Sequence, residues 1–186
     1  MKEMVKKENK RNKKRLFVDM DGTLAVWQSA KSIEDCFVKG YFKDLPPQDS
    51  VLNAVKRFMK ENEDDLEVYV LSAVLNTPYA IPEKEDWLKK FIPEIKKENY
   101  IFVPYGKDKY EYVPGGVTRN DYLLDDYTTN LLPWHKAGGT GIKCRTNENH
   151  TNGTWKGPYI HTAFPSFVMD EVLNHIIFEG GIKFEQ

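Results

Sequence analysis

Two short apolar runs that each end in acids constrain this chain more than anything else in its sequence. Leu16-Phe17-Val18 leads into Asp19-Met20-Asp21-Gly22-Thr23, and Tyr122-Leu123-Leu124 leads into Asp125-Asp126. An apolar run without polar alternation is the pattern of a strand buried on both faces, and Gly22 marks a sharp turn where the first such strand stops. Asp19 and Asp21 are two residues apart, so on extended backbone both carboxylates project to one side, where their like charges repel. A hard divalent cation such as Mg²⁺ would relieve that repulsion. It takes one or two carboxylates and leaves its other positions to water and phosphate oxygens, which suits phosphoryl chemistry. A plain Asp-Gly turn with a capping aspartate is the competing reading, and it leaves the second acid pair unexplained.

The intervening sequence supplies the rest of a layered fold. Asp49-Ser50 followed by Val51, Leu52, Val55, Phe58 and Met59 predicts an N-capped amphipathic helix. Glu67 to Leu71 predicts a strand ending at Ser72, and Tyr100 to Val103 predicts another, followed by a polar loop with Lys107 and Lys109. Between them, Pro82 to Lys97 reads as a helix, with acids at its start, Lys96-Lys97 at its end, and Trp87, Leu88, Phe91, Ile92 and Ile95 on its apolar face. Tyr159-Ile160-His161 reads as a last strand segment and Ser166 to Phe178 as a closing helix. Gly138-Gly139-Thr140-Gly141 lacks the Gly-Lys-Ser/Thr ending of a P-loop and reads as a turn before Ile142.

Alternating strands and helices predict an α/β fold, a Rossmann-like parallel sheet with helices on both faces. In such sheets ligands bind beyond the carboxyl ends of the strands, and Asp19, Asp21, Ser72, Lys109 and Asp126 all fall at such ends or just after them. That agreement carries more than any single motif.

Composition narrows the remaining classes. The chain has 186 residues, 40% of them apolar, enough for one core but not for a large second domain. The net charge of -1 supplies no global field for nucleic acid or an anionic membrane, and no apolar run approaches the roughly 18 residues needed to cross a bilayer. Residues 1–14 form a basic arm expected to be disordered, but without interleaved aromatics and balanced by Glu3 and Glu8, so nucleic acid is not the expected partner. Cys36 and Cys144 lie far apart and outside any CxxC or Cys/His cluster, which points to a reducing, cytoplasmic setting and no structural zinc. The four histidines show no ligand spacing. Asn149-His150-Thr151 and Asn152-Gly153-Thr154 read as turns.

Asp19-Met20-Asp21-Gly22-Thr23 resembles the first motif of the haloacid-dehalogenase-like phosphohydrolase superfamily. Ser72 at a strand end resembles its second motif, a lysine after the third strand its third, and Asp125-Asp126 its fourth. The loop Asp108-Lys109 and the run Asp125 to Asn130 look most like the 5'(3')-deoxyribonucleotidase branch, which favours Lys109 over Lys107. The likeness covers roughly residues 15–130.

By that resemblance residues 15–186 form a single such domain with a small cap segment within about 25–48, shorter than the branch's usual cap. The implied reaction is Mg²⁺-dependent hydrolysis of a phosphate monoester through an aspartyl-phosphate intermediate, with nucleoside monophosphates as substrates. Asp19 would be the nucleophile and Asp21 the proton donor and acceptor. Ser72 and Lys109 would hold the phosphate, and the metal would be held by Asp19, Asp126 and the backbone carbonyl of Asp21, with Asp125 orienting water or a neighbouring lysine. Trp27, a few residues past the acids, offers a flat face to a base, although a lid or core role suits an aromatic there equally well. The alternatives are another small phosphate ester or a polynucleotide end as substrate, and a binding module of the same fold without turnover.

Overall fold

The computed structural model describes residues 13–27, 33–146 and 154–180. Six parallel strands form one sheet in the order β3-β2-β1-β4-β5-β6. They are β1 (Lys14–Val18), β2 (Leu66–Val74), β3 (Tyr100–Pro104), β4 (Asp121–Asp125), β5 (Thr140–Arg145) and β6 (Tyr159–His161). Four helices alternate with them: α1 (Asp49–Glu61), α2 (Ala80–Phe91), α3 (Thr128–Lys136) and α4 (Ser166–Phe178). Short 3₁₀ turns occupy Ile33–Phe37, Lys97–Asn99 and Lys109–Tyr112.

Residue parity along β1 shows how the sheet is covered. Leu16 and Val18 face one side with Val51, Val55 and Phe58 of α1, Trp87 and Leu88 of α2, and Met169 and Leu173 of α4. Phe17 faces the other side with Leu131 and Trp134 of α3 and with Val113 and Trp155. Both faces of the central strand are therefore buried, which is why its sequence shows no polar alternation. Phe17 also stacks on Tyr69 of β2 at 5.0 Å and meets Trp134 edge-on at 5.1 Å.

β1 lies at the centre of the topology, paired with β2 on one side and β4 on the other. Chain direction reverses its spatial order there, so the crevice beyond its carboxyl end is the place for a ligand. The opposite end of β1 is tied down by Arg15, whose guanidinium donates to both oxygens of buried Asp121, at 2.6 and 2.7 Å, and to the carbonyls of Pro114 and Gly116.

Three elements depart from the sequence-based expectation. The helix predicted over 82–97 ends at Phe91, because Pro93 has no N–H to continue the ladder and disfavours helical backbone at Ile92. Ile92 and Ile95 are buried all the same, in the turn that follows. α3 lay in a stretch with no strong apolar period, and it carries Pro133 internally. The glycine-rich run is only partly a turn, since β5 already begins at Thr140. A side chain on Gly139 would collide with the Trp134 indole, so the glycine there serves close packing of α3 on the sheet. Of the basic arm expected over residues 1–14, residues 1–12 lie outside the described residues, as do 149–153 of the two Asn-x-Thr triplets, whereas Lys14 is ordered as the first residue of β1 and so departs from that expectation.

Candidate active site

All six strands of the sheet deliver their carboxyl ends to one cleft of about 730 Å³. Asp19 and Asp21 follow β1, Ala73 and Leu75 come from the end of β2, Tyr105 and Lys109 follow β3, and Asp126 and Tyr127 follow β4. Val26, Trp27, Cys36 and Phe42 form an apolar wall, and Gln48, Asn130, Thr146 and Thr162 add polar groups.

Asp19 is buried, and its backbone N–H donates to the Leu124 carbonyl, which ties the first acid directly to the strand carrying the second pair. Asp19, Asp125 and Asp126 each offer a carboxylate oxygen within 4.8 Å of the others. Gly22 makes this approach possible. Its φ of +83° suits glycine, and a Cβ there would run into the Asp126 carboxylate.

Of the two candidate lysines, Lys109 is the one that reaches the acids. Its ammonium group lies 2.8 Å from Asp19 Oδ1 and 2.6 Å from Asp125 Oδ2, and the side chain is buried, whereas Lys107 is exposed. Burial by itself would push the Lys109 ammonium pKa down, but the two carboxylates outweigh it and hold the group well above its ordinary value, fully protonated. Asp125 is committed to its neighbours. Besides Lys109 it accepts from the Tyr127 N–H at 2.7 Å and from the Asn130 amide at 3.2 and 3.0 Å. Asp19 and Asp126, unlike Asp125, are among the residues lining the cleft.

Asp21 turns away from this group. Its Oδ2 pairs with Lys84, whose ammonium also donates to Ser72 Oγ at 2.9 Å and to the Ala73 carbonyl at 2.7 Å. Asp21 Oδ1 is buried without a hydrogen-bond partner among the described residues. Burial pushes the Asp21 carboxyl up from the ordinary carboxylate range; Lys84 opposes the shift and the Asp19 charge adds to it. The strand expected to end at Ser72 runs on to Val74, so Ser72 lies inside β2, fully buried and not among the residues lining the cleft, with its hydroxyl held by Lys84.

Lys84 is absent from the sequence-based set. It lies in the first turns of α2 on the stripe Ala80, Lys84, Leu88, whose other members are buried, so a charge on an apolar stripe was the signal available. Lys143 is a third buried lysine: it donates to the Asp126 carbonyl and, at 3.0 Å, to Thr128 Oγ1, and so fixes the backbone of the second acid pair. Burial lowers its pKa, with Asp126 and Asp125 opposing.

The donor set of the three-acid group is all carboxylate oxygen, which fits a hard divalent cation rather than a soft one.

A six-stranded parallel sheet of this order is the fold of the haloacid-dehalogenase-like phosphohydrolase superfamily. The solved D,D-heptose 1,7-bisphosphate phosphatase of Burkholderia thailandensis shares the fold, with a TM-score of 0.56 at 10% identity over 88% of this chain and 99% of that one. Within that superfamily the chain belongs to the family described as 5' nucleotidase, deoxy (pyrimidine), cytosolic type C protein, which it matches over residues 26–157. The curated "Putative 5'(3')-deoxyribonucleotidase" of Staphylococcus aureus, in strains Mu50 and MSSA476, is 24% identical over 87 residues. That stretch is 47% of this chain and 41% of the relative, so the chain spans less than half the length of these curated relatives. No helix among the described residues is long and apolar enough to cross a membrane.

Proposed function

We propose that this protein hydrolyses nucleoside monophosphates, with Mg²⁺ as cofactor and an aspartyl-phosphate as intermediate. The observation that carries the reading is the convergence of Asp19, Asp21, Lys109 and Asp126 on one cleft at the carboxyl edge of the sheet. Family membership and the name of the staphylococcal relatives point to the same substrate class.

Asp19 attacks phosphorus and the ester P–O bond breaks, leaving the phosphoryl group on the carboxylate. Lys109, 2.8 Å from that carboxylate, offsets the charge of the incoming phosphate, and Ser72, oriented by Lys84, offers its hydroxyl to a phosphate oxygen. Asp21 gives a proton to the leaving alkoxide and then takes one from the water that cleaves the aspartyl-phosphate; its raised pKa suits a group that must hold a proton in one step and release it in the other. Asp19, Asp126 and the backbone carbonyl of Asp21 would hold the Mg²⁺, which supplies charge neutralisation at the phosphoryl oxygens when bound. The nucleoside lies toward the apolar wall, where Trp27 presents a ring about one-third exposed, 38%. The small 25–48 segment acts as the cap.

Phosphate release from a panel of nucleoside 5'- and 3'-monophosphates, sugar phosphates and phosphorylated oligonucleotide ends, with and without Mg²⁺, tests the reading. Preference for a mononucleotide supports it. Equal rates on all esters would overturn the substrate, and no turnover on any ester would overturn the reaction.

A further inference from the structure

One stripe of α2 grips the backbone of the segment that walls the cleft. Tyr79, Glu83 and Trp87 are spaced four apart and so lie on one helix face, spanning ~12 Å. Each bonds the 33–48 segment in turn: the Tyr79 hydroxyl donates to the Phe37 carbonyl, the Trp87 indole donates to the Leu45 carbonyl at 2.7 Å, and between them Glu83 accepts from two backbone N–H groups, Gly40 at 2.6 Å and Phe42 at 3.2 Å. Glu83 is buried, and both its oxygens are used. A buried carboxylate satisfied by two amides is a specific and costly device, and nothing in the catalytic chemistry asks for it.

Its effect reaches the cleft through three rings. Gly40 adopts φ +96°, which brings its N–H to Glu83 and turns the chain into Tyr41-Phe42. Tyr41 packs edge-on against Phe42 at 5.1 Å and against Trp27 at 6.0 Å. Phe42 and Trp27 both line the cleft, and the ammonium of Lys84, next to Glu83 in the chain, lies 4.7 Å from the Phe42 ring centroid. The two residues at the start of α2 thus divide their work: Lys84 holds the acid and the hydroxyl, and Glu83 holds the aromatic wall.

We infer that Glu83 is a positioning residue for nucleoside recognition. By fixing the Gly40 and Phe42 amides it sets where Tyr41 props Trp27 against the base, without touching the substrate itself. The assignment rests on the nucleotide reading above and adds the residue through which that specificity is set.

The test compares a preferred nucleoside monophosphate with ribose 5-phosphate, which carries the same ester without a base. In Glu83→Gln an amide NH₂ faces one of the two backbone N–H groups, so the grip is lost at nearly constant volume. The expected result is a rise of about tenfold in KM for the nucleotide, ~1.4 kcal/mol, with kcat on the nucleotide and kcat/KM on ribose 5-phosphate within about twofold of wild type. Tyr41→Ala, which removes the prop and leaves the grip, should give the same split, and it carries the test if Glu83→Gln proves too unstable to assay. Equal losses on both substrates in both variants, or no change on either, would overturn the assignment. A wild-type enzyme that does not distinguish the two substrates would instead overturn the nucleotide reading, and this assignment with it.

Discussion

Lys109 Nζ stands between Asp19 Oδ1 at 2.8 Å and Asp125 Oδ2 at 2.6 Å, so one buried cation joins the acid after β1 to the last residue of β4. Removing it would leave three acids within 4.8 Å of one another with no internal counter-charge from the third strand. Lys109→Met should therefore lower Mg²⁺-dependent phosphate release by on the order of 10²–10³-fold, the usual effect of deleting one preorganised charge-stabilising donor. Lys107→Met, two residues away and exposed, should stay within about twofold. Steady-state assays of both variants beside wild type make the comparison, and equal losses would remove Lys109 from its special place.

Lys84 should matter as much for stability as for turnover. It is fully buried, and its loss would leave the Asp21 carboxylate, already without a partner on Oδ1, together with Ser72 Oγ and the Ala73 carbonyl. Breaking a buried pair by removing one partner costs roughly 3–5 kcal/mol. For a chain of this size Lys84→Met should then lower the melting temperature by about 6–20 °C, at roughly 2–4 °C per kcal/mol. Adding Asp21→Asn to Lys84→Met should restore part of that loss, because no unpaired charge then remains, and a double-mutant cycle by thermal melting reads the coupling directly. Strict additivity would contradict the pairing.

These two lysines also mark how far the sequence could be read. The acids were legible because each follows an apolar run that must be a buried strand, and a parallel sheet puts the carboxyl ends of such strands on one edge. Family resemblance favoured Lys109 over Lys107, but both lie in the same polar loop, and the physical distinction comes from a single 3₁₀ turn, Lys109–Tyr112, that buries one of them. Lys84 and Glu83 were hidden for a different reason. In a helix start rich in Glu and Lys, charges read as solvated or as dipole partners, and only tertiary packing shows that these two point inward. Pro93 was a legible stop for α2, and the apolar residues on either side of it, Ile92 and Ile95, carried the helical reading past it. The short α3 has a proline inside and only Leu131 and Trp134 buried, too little period to stand out.

Metal binding should be measurable without turnover. A ligand that binds the folded state alone stabilises it by about 2.7 kcal/mol when present at a hundred times its Kd, which corresponds to a rise of roughly 5–10 °C in melting temperature here. Mg²⁺ should produce such a shift in wild type, and Asp19→Asn, which lowers the negative charge of the three-acid group, should reduce it sharply. Activity of that variant should fall by on the order of 10⁴-fold, as for removal of an essential catalytic side chain. An undiminished Mg²⁺ shift in Asp19→Asn would take Asp19 out of the metal's coordination, and an unchanged rate would take it out of the chemistry.

Gly22 offers the sharpest separation of site geometry from fold. Its backbone has φ +83°, and its N–H donates to the Ala25 carbonyl at 2.8 Å, closing the turn that follows the acids. Alanine there meets two penalties. A left-handed backbone costs a non-glycine residue roughly 1–2 kcal/mol, and the new Cβ would collide with the Asp126 carboxylate. The first penalty is paid in stability, about 2–8 °C of melting temperature. The second falls on the site, because Asp126 must move away from Asp19 and the three-acid group opens. Gly22→Ala should therefore remain folded, lose most of the Mg²⁺-induced melting shift and lose activity by at least 10²-fold, an effect consistent with an ångström-scale misplacement. Gly106→Ala is the control. It has the same φ of +83° with nothing within 4 Å of a Cβ, so it should show the stability loss alone. If both variants keep the Mg²⁺ shift, the close approach of Gly22 to Asp126 is not what assembles the acids.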